Sequence, residues 1–130
     1  MLATQFDSPG EDSLLGGLAR RRVLFHEAAE VIRREFADGD LTVDAIARSV
    51  FSSRRQLQRA FTEAGTTVRG YLFEVRMRQA AELLSRGDHP VSAVSRMVGY
   101  RQPAQFAKAF ARRFGVPPSR WRAGLRGPSA

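Results

Sequence analysis

One pattern of apolar and small residues runs through this 130-residue chain twice. Val43, Ile46, Ala47 and Val50 recur 48 positions later as Val91, Val94, Ser95 and Val98, while Leu57 and Phe61 recur 49 positions later as Phe106 and Phe110. The first four residues of each set stand at i, i+3, i+4 and i+7, which is one face of a helix. The offset grows by one between the two parts of the pattern. This is the result expected if a two-residue turn, Phe51-Ser52, corresponds to a longer one, Gly99-Tyr100-Arg101. A pair of helices joined by a tight turn and then repeated leaves little choice of architecture. The expected fold is all-α, with two similar lobes and about seven helices.

Each copy carries its own punctuation. In the first, Thr42 can cap a short helix, and Ser53 with Gln56 stands in the S-x-x-Q relation of a capping box that opens a second helix running to about Ala64. Leu57, Ala60 and Phe61 face inward on that second helix, Gly65 stops it, and Ala47 is the small residue needed where two crossed helices approach closely. In the second copy, Gln102 stands at the cap and Pro103 at the first helical position, where its missing N–H costs nothing. Phe106, Ala109, Phe110 and Phe114 point inward, and Trp121, after Pro117-Pro118, packs a last short helix onto the lobe.

Between the copies lies Thr67–Arg86, read as one amphipathic helix with Val68, Leu72, Val75, Gln79 and Leu83 along one side and Tyr71, Met77, Ala80 and Leu84 flanking it. Its length, about 30 Å at about 1.5 Å per residue, is close to the roughly 34 Å of one turn of B-DNA. Gly70 weakens it by up to about 1 kcal/mol relative to Ala. Ahead of the first copy, a helix over about 22–37 buries Leu24, Ala28, Val31, Ile32 and Phe36 and ends at Asp38-Gly39-Asp40. The resulting plan has a flexible leader (1–19) punctuated by Pro9, Gly10, Gly16 and Gly17, a first lobe (20–66), a linker helix (67–86), a second lobe (87–125) and a tail (126–130).

The charge is distributed unevenly. Residues 1–88 hold 13 basic and 13 acidic side chains, whereas residues 89–130 hold eight basic and no acidic ones, so the whole formal +8 lies in the C-terminal third. Such a stretch suits a polyanionic partner. There is no cysteine, and His26 and His89 lack companions for a metal site. No Ser/His/Asp set, glycine-rich phosphate loop or paired carboxylates at useful spacing is present, so neither catalysis, a metal nor a cofactor is expected. No apolar run approaches the roughly 18 residues of a membrane span, and the start lacks the basic and apolar regions of a signal peptide.

The segment GYRQPAQFAKAFARRFGVPP at 99–118, together with SRRQLQRAF in the first copy and YLFEVRMRQAAELL in the linker, resembles the AraC/XylS family of bacterial transcription regulators. The resemblance spans about residues 22–123. It implies a seven-helix, two-lobe domain that places two recognition helices in successive major-groove segments of double-stranded DNA, in the bacterial cytoplasm, with activation through contact with RNA polymerase. Two departures stand out. Phe51 replaces the glycine usual in the first turn, so the backbone there is expected to avoid positive φ. Gln102, Pro103 and Ala104 replace a more polar, better-capping run.

By the same resemblance, Arg55, Gln58 and Arg59 fall on positions that touch bases or nearby phosphates. An Arg can grip guanine O6/N7 and a Gln adenine N6/N7 with two hydrogen bonds. On the second recognition helix the outward residues are Ala104, Ala107, Lys108 and Ala111 with Gln105 at the edge, so Gln105, Lys108 and Ala104 are its candidate base contacts. Arg54, Arg101, Arg112, Arg113, Arg120 and Arg122 are the candidate phosphate contacts. The first lobe is therefore expected to supply sequence specificity and the second mainly electrostatic affinity. Two different readers in one chain imply an asymmetric site bound by a monomer. Family members carry a separate effector or dimerisation domain, for which this chain has no room, so control by abundance is expected. Two other readings are the DNA-binding piece of a larger ligand-responsive regulator and a protein-interaction module that binds RNA polymerase or another regulator.

Overall fold

The computed structural model describes residues 9–125, without the side chains of 9–13, 123 and 125. Seven helices follow one another: α1 (Pro9–Glu35), α2 (Val43–Ser49), α3 (Arg54–Glu63), α4 (Val68–Arg86), α5 (Val91–Met97), α6 (Pro103–Phe114) and α7 (Pro118–Leu125). No strand occurs among the described residues. The chain divides into two compact units, one built from α1 up to Val31 with residues 42–68, the other from Ile32–Leu41 with the chain from Arg69 onward.

The helix expected from about residue 22 begins at Pro9, so residues 9–19 of the expected leader are helical; residues 1–8 and the tail 126–130 lie outside the described residues. Proline is harmless at a helix's first position because that N–H has no intrahelical partner. Two glycines in the interior cost up to about 1 kcal/mol each, but the side chains one turn on cover them. The Arg21 guanidinium lies 3.1 Å from where a Cβ on Gly17 would be, and its Nε donates to Glu63 Oε2 at 2.6 Å. Phe25 then meets Phe61 edge-on, with ring centroids 4.8 Å apart. Anchorage of Arg21 and Phe25 to α3 explains why the glycines do not break the helix.

In the first unit, Ala28, Ala29, Val31, Ile46, Ala47, Leu57, Ala60 and Phe61 are buried. Thr42 Oγ1 accepts the Ala45 N–H at 3.0 Å, and Ser53 Oγ accepts the Gln56 N–H at 3.1 Å, so both expected caps form. The Gln56 side chain does not complete a reciprocal box; its Oε1 accepts from the Ser52 hydroxyl at 3.5 Å.

The turn after α2 corrects one expectation. Phe51 has φ 55° and is 97% exposed. Two hydrogen bonds impose that conformation: Phe51 N–H to Arg48 O at 3.1 Å and Ser52 N–H to Ala47 O at 2.9 Å. This pair satisfies the last carbonyls of a helix but requires a left-handed residue just past its end. The second copy repeats it with Gly99, φ 96°, through Gly99 N–H to Arg96 O at 3.1 Å and Tyr100 N–H to Ser95 O at 3.0 Å. Tertiary geometry fixes the corner, and Phe51 takes it at a cost of about 1–2 kcal/mol.

In the second unit, Met77, Ala80 and Leu84 of α4 pack with Val94, Val98, Phe106, Ala109 and Phe110. Phe36, Phe73, Tyr100, Phe114 and Trp121 close around them. Trp121 meets Phe110 and Phe114 at 5.7 and 5.0 Å between centroids, as the sequence predicts. The buried line of α4 is rotated from the expected one. Leu72, Met77, Ala80 and Leu84 are buried, whereas Val75, Gln79 and Leu83 are only half-buried. Beyond Val68, α4 is thus a core element of this unit as well as a connector. Residues Ile32–Leu41, assigned by spacing to the first lobe, also cluster here. Their anchor is Arg76, whose Nε donates to Phe36 O at 2.9 Å and whose Nη2 donates to Asp38 O at 2.8 Å.

Glu74 on α4 receives a forked pair of hydrogen bonds from Arg113, Nε to Oε1 at 2.7 Å and Nη2 to Oε2 at 2.8 Å, with Arg78 Nε at 2.9 Å from Oε2. Chiefly the Arg113 bonds, opposed by burial, hold the Glu74 carboxyl down at about 2 against an ordinary 4.5. A depressed carboxylate stabilises the fold above its unfolded value and loses that contribution as pH falls toward the folded one.

Two outcomes follow from these local features. Phe51→Gly, which removes an exposed side chain from a left-handed residue, should raise stability by about 1 kcal/mol in denaturant melts; a loss would contradict the strain. Glu74→Gln should melt a few degrees below wild type at neutral pH. That gap should close as pH falls from 4.5 to about 2, and thermal melts across this range check it.

Candidate nucleic-acid interface

A ten-residue helix presents the first candidate face. Because Leu57, Ala60 and Phe61 are drawn into the core, Arg55, Gln58 and Arg59 are left exposed together at i, i+3 and i+4. Thr62, next along this face, is committed to the helix itself, its hydroxyl donating to Gln58 O at 2.9 Å. Arg54, also exposed, flanks the first turn and approaches Asp44 Oδ1 at 3.5 Å. The one acidic residue of α3, Glu63, sits at its far end and is engaged by Arg21. The face therefore offers two guanidinium forks and one carboxamide with no carboxylate among them.

The second candidate face, on α6, is chemically thinner. Ala104, Gln105 and Lys108 are exposed, whereas Ala107 and Ala111 are half-buried. Pro103 occupies the first turn, and Gln102 stands at the cap position without a side-chain capping bond. Of the five residues on this face only Gln105 and Lys108 have hydrogen-bonding side chains, with the exposed Arg112 one turn beyond Lys108.

The six expected phosphate-binding arginines separate into distinct situations. Arg54, Arg112 and Arg120 are exposed, and Arg112 also lies over the Phe73 ring at 4.9 Å from its centroid. Arg101 is exposed but paired with Asp40. Arg113 is forked onto Glu74 and lies over Phe114 at 4.6 Å, so its charge is largely answered within the fold. Arg122 is half-buried, with Nε directed at Leu84 O at 3.4 Å and Nη2 buried without a hydrogen-bond partner. Sequence cannot distinguish a surface Arg from one that packs, because the long aliphatic stem serves either use.

One residue escapes the sequence reading altogether. Arg76 lies half-buried on α4, between the backbone of residues 36–38 and the turn that leads into α6. Its Cζ is 5.9 Å from the centre of the Tyr100 ring. Burial pulls the Arg76 guanidinium below its ordinary value and pushes the Tyr100 phenol above its own. The available signal was a cation inside the stripe that also holds Phe73, Met77, Ala80 and Leu84; an exposed role was the simpler reading of an arginine.

Comparison with known proteins places the fold that carries these faces. The model of a family described as "Helix-turn-helix domain" matches residues 46–124. The transcriptional activator NphR of a Rhodococcus species is 33% identical over 92 residues, which is 71% of this chain but 28% of that protein. The chain thus spans less than a third of that relative's length. Among solved structures, the C-terminal domain of AraT, a response regulator from Geobacillus stearothermophilus, is 30% identical with a TM-score of 0.75, covering 78% of this chain and 84% of that one. The DNA-binding domain of AdpA, described as a global transcriptional factor and solved in complex with a target DNA, is 27% identical with a TM-score of 0.73, covering 82% and 97%. With its repeated helix pairs, its matching family model and these neighbours, the chain belongs to the AraC/XylS family of helix-turn-helix DNA-binding domains.

Proposed function

We propose that this chain binds double-stranded DNA sequence-specifically as a transcription regulator, with α3 and α6 as recognition helices entering successive major-groove segments. The observation that carries the reading is the exposed Arg55, Gln58 and Arg59 face, set on the second helix of a capped helix pair, with the helix's one carboxylate, Glu63, held by Arg21. Bidentate hydrogen bonds from Arg and Gln to purine edges discriminate each base by about 1–3 kcal/mol. The AdpA domain, similar over most of the chain and solved with its target DNA, supports the same reading.

The two helices divide the work unequally. Arg55, Gln58 and Arg59 read bases in one half-site. Gln105 and Lys108, with Ala104 packing against a thymine methyl, read fewer in the other. Arg54, Arg112 and Arg120 neutralise phosphates. Arg101 joins them when a phosphate displaces Asp40, whereas Arg113 and Arg122 contribute field from within the second unit. The site is asymmetric and bound by a monomer. Activation by contact with RNA polymerase fits NphR, which is an activator. The bacterial cytoplasm is the matching location.

Selection of bound sequences from random DNA tests the proposal directly. A motif of about two helical turns is expected; salt-labile binding without a motif would instead favour a protein-interaction module. Arg55→Ala or Gln58→Ala should relax preference at one half-site by about 1–3 kcal/mol per base. Arg112→Ala should weaken all sequences alike and reduce the slope of log K against log salt by about one. The reverse pattern would refute the division of labour.

A further inference from the structure

We propose that Arg76 is a positioning residue for the second recognition helix, an inference that rests on α6 being a DNA reader. The start of α6 lacks the side-chain cap that α3 has. Its cap residue, Gln102, makes no side-chain capping bond; Pro103 presets the first φ, and backbone bonds from Gln105 and Phe106 to Gln102 O close the turn, but no side chain ties it down locally. By contrast α3 is capped by Ser53. Yet two of the three exposed candidates on α6, Ala104 and Gln105, lie in that uncapped first turn. Something outside the helix must set where this turn points.

The segment after α1 does so. A Cβ on Gly39 would lie 2.9 Å from Gly99 O, and one on Gly99 would lie 2.8 Å from Phe36 O. The two backbones thus meet closer than any other residue pair allows. Arg76 fills the remaining gap: Nε donates to Phe36 O at 2.9 Å and Nη2 to Asp38 O at 2.8 Å, while its Nε is only 3.0 Å from a Cβ position on Gly99. Tyr100, the next residue of the turn, packs tilted at 59° against Phe106, the first buried ring of α6, with centroids 5.6 Å apart. The clamp therefore runs from the carbonyls at the end of α1 through a planar guanidinium to the turn, and from the turn to the helix. Asp38 O also accepts the Leu41 N–H at 3.2 Å, so the guanidinium adds to a turn already closed by its backbone, and a fork that reaches two carbonyls at fixed spacing is a property of Arg and not of Lys. What the clamp fixes is direction: a turn free to move by a few tenths of an ångström carries Ala104 and Gln105 with it.

The test uses the full chain with two substitutions, Arg76→Lys and Gly39→Ala. The first keeps the charge and loses the fork. The second keeps Arg76 and forces the loop away from Gly99. Both go through selection from random DNA and a salt-dependent binding series, beside Lys108→Ala, whose altered positions mark the half-site read by α6. The expected result is a flattened preference in that half-site, an unaltered preference in the half-site read by α3, and an affinity for the best site lower by about tenfold. Binding to unrelated DNA and the salt slope should stay the same. Lower melting temperatures with both half-site preferences intact would overturn the proposal, because that is the signature of a structural role alone. Should Arg76→Lys fail to fold, Gly39→Ala decides by the same criteria. A wild-type selection that yields no motif would overturn the reading of α6 and the clamp with it; a wild-type motif left intact in both variants overturns the clamp alone.

Discussion

The corner that ends α2 and α5 is the constraint on which α3 and α6, the two candidate recognition helices, depend. In each, one N–H reaches back three residues and the next reaches back five, and the chain can do this only through a left-handed residue. Once that residue is in place, the chain turns into the following helix, and the small buried residues Ala47 on α2 and Ser95 on α5 let each pair close. Gly99 meets the requirement without strain. Phe51 meets it with strain, and its 97% exposure shows that no packing of the ring offsets the cost. The strain is tolerated because the two hydrogen bonds, the Thr42 and Ser53 caps and the Leu57 and Phe61 core all demand the same corner.

The arginines of this chain carry two different kinds of work. On α3, Arg55 and Arg59 are exposed at the surface, where a guanidinium can exchange water for a base edge or a phosphate. In the second unit several are absorbed into the fold: Arg76 between backbone carbonyls, Arg113 on Glu74, Arg122 at the end of α4. A net positive charge that is large in sequence is therefore smaller as free cations than the count implies. Its effect on a polyanion divides between contact and field, and of these only contacts to base edges discriminate among sequences.

Much of the architecture was legible because it is written in local chemistry. The 48- and 49-residue offsets, the serine and threonine caps, the glycines after helices and the aromatic pattern at 106, 110, 114 and 121 each specify a local conformation with few alternatives. The exposed face of α3 was legible for the same reason, since fixing Leu57 and Phe61 inward fixes Arg55, Gln58 and Arg59 outward. The beginning of α1 was not. Two glycines and a proline read as breakers, and only the anchoring of Arg21 and Phe25 on α3 shows why the helix continues through them.

The sequence by itself determined the helical class, the duplicated helix pair and the composition of the exposed faces of α3 and α6, because periodicity and capping act within a few residues. Tertiary structure decided which of the adjacent apolar lines on α4 is buried, since the side chains of α5 and α6 choose between lines that are nearly equal in hydrophobicity. It also decided that Phe51 must be left-handed, that residues 32–41 join the second unit, and that Arg76 is a clamp and not a surface charge. Each of these depends on groups distant in the chain meeting at short range, and no local pattern records where a carbonyl forty residues away will stand.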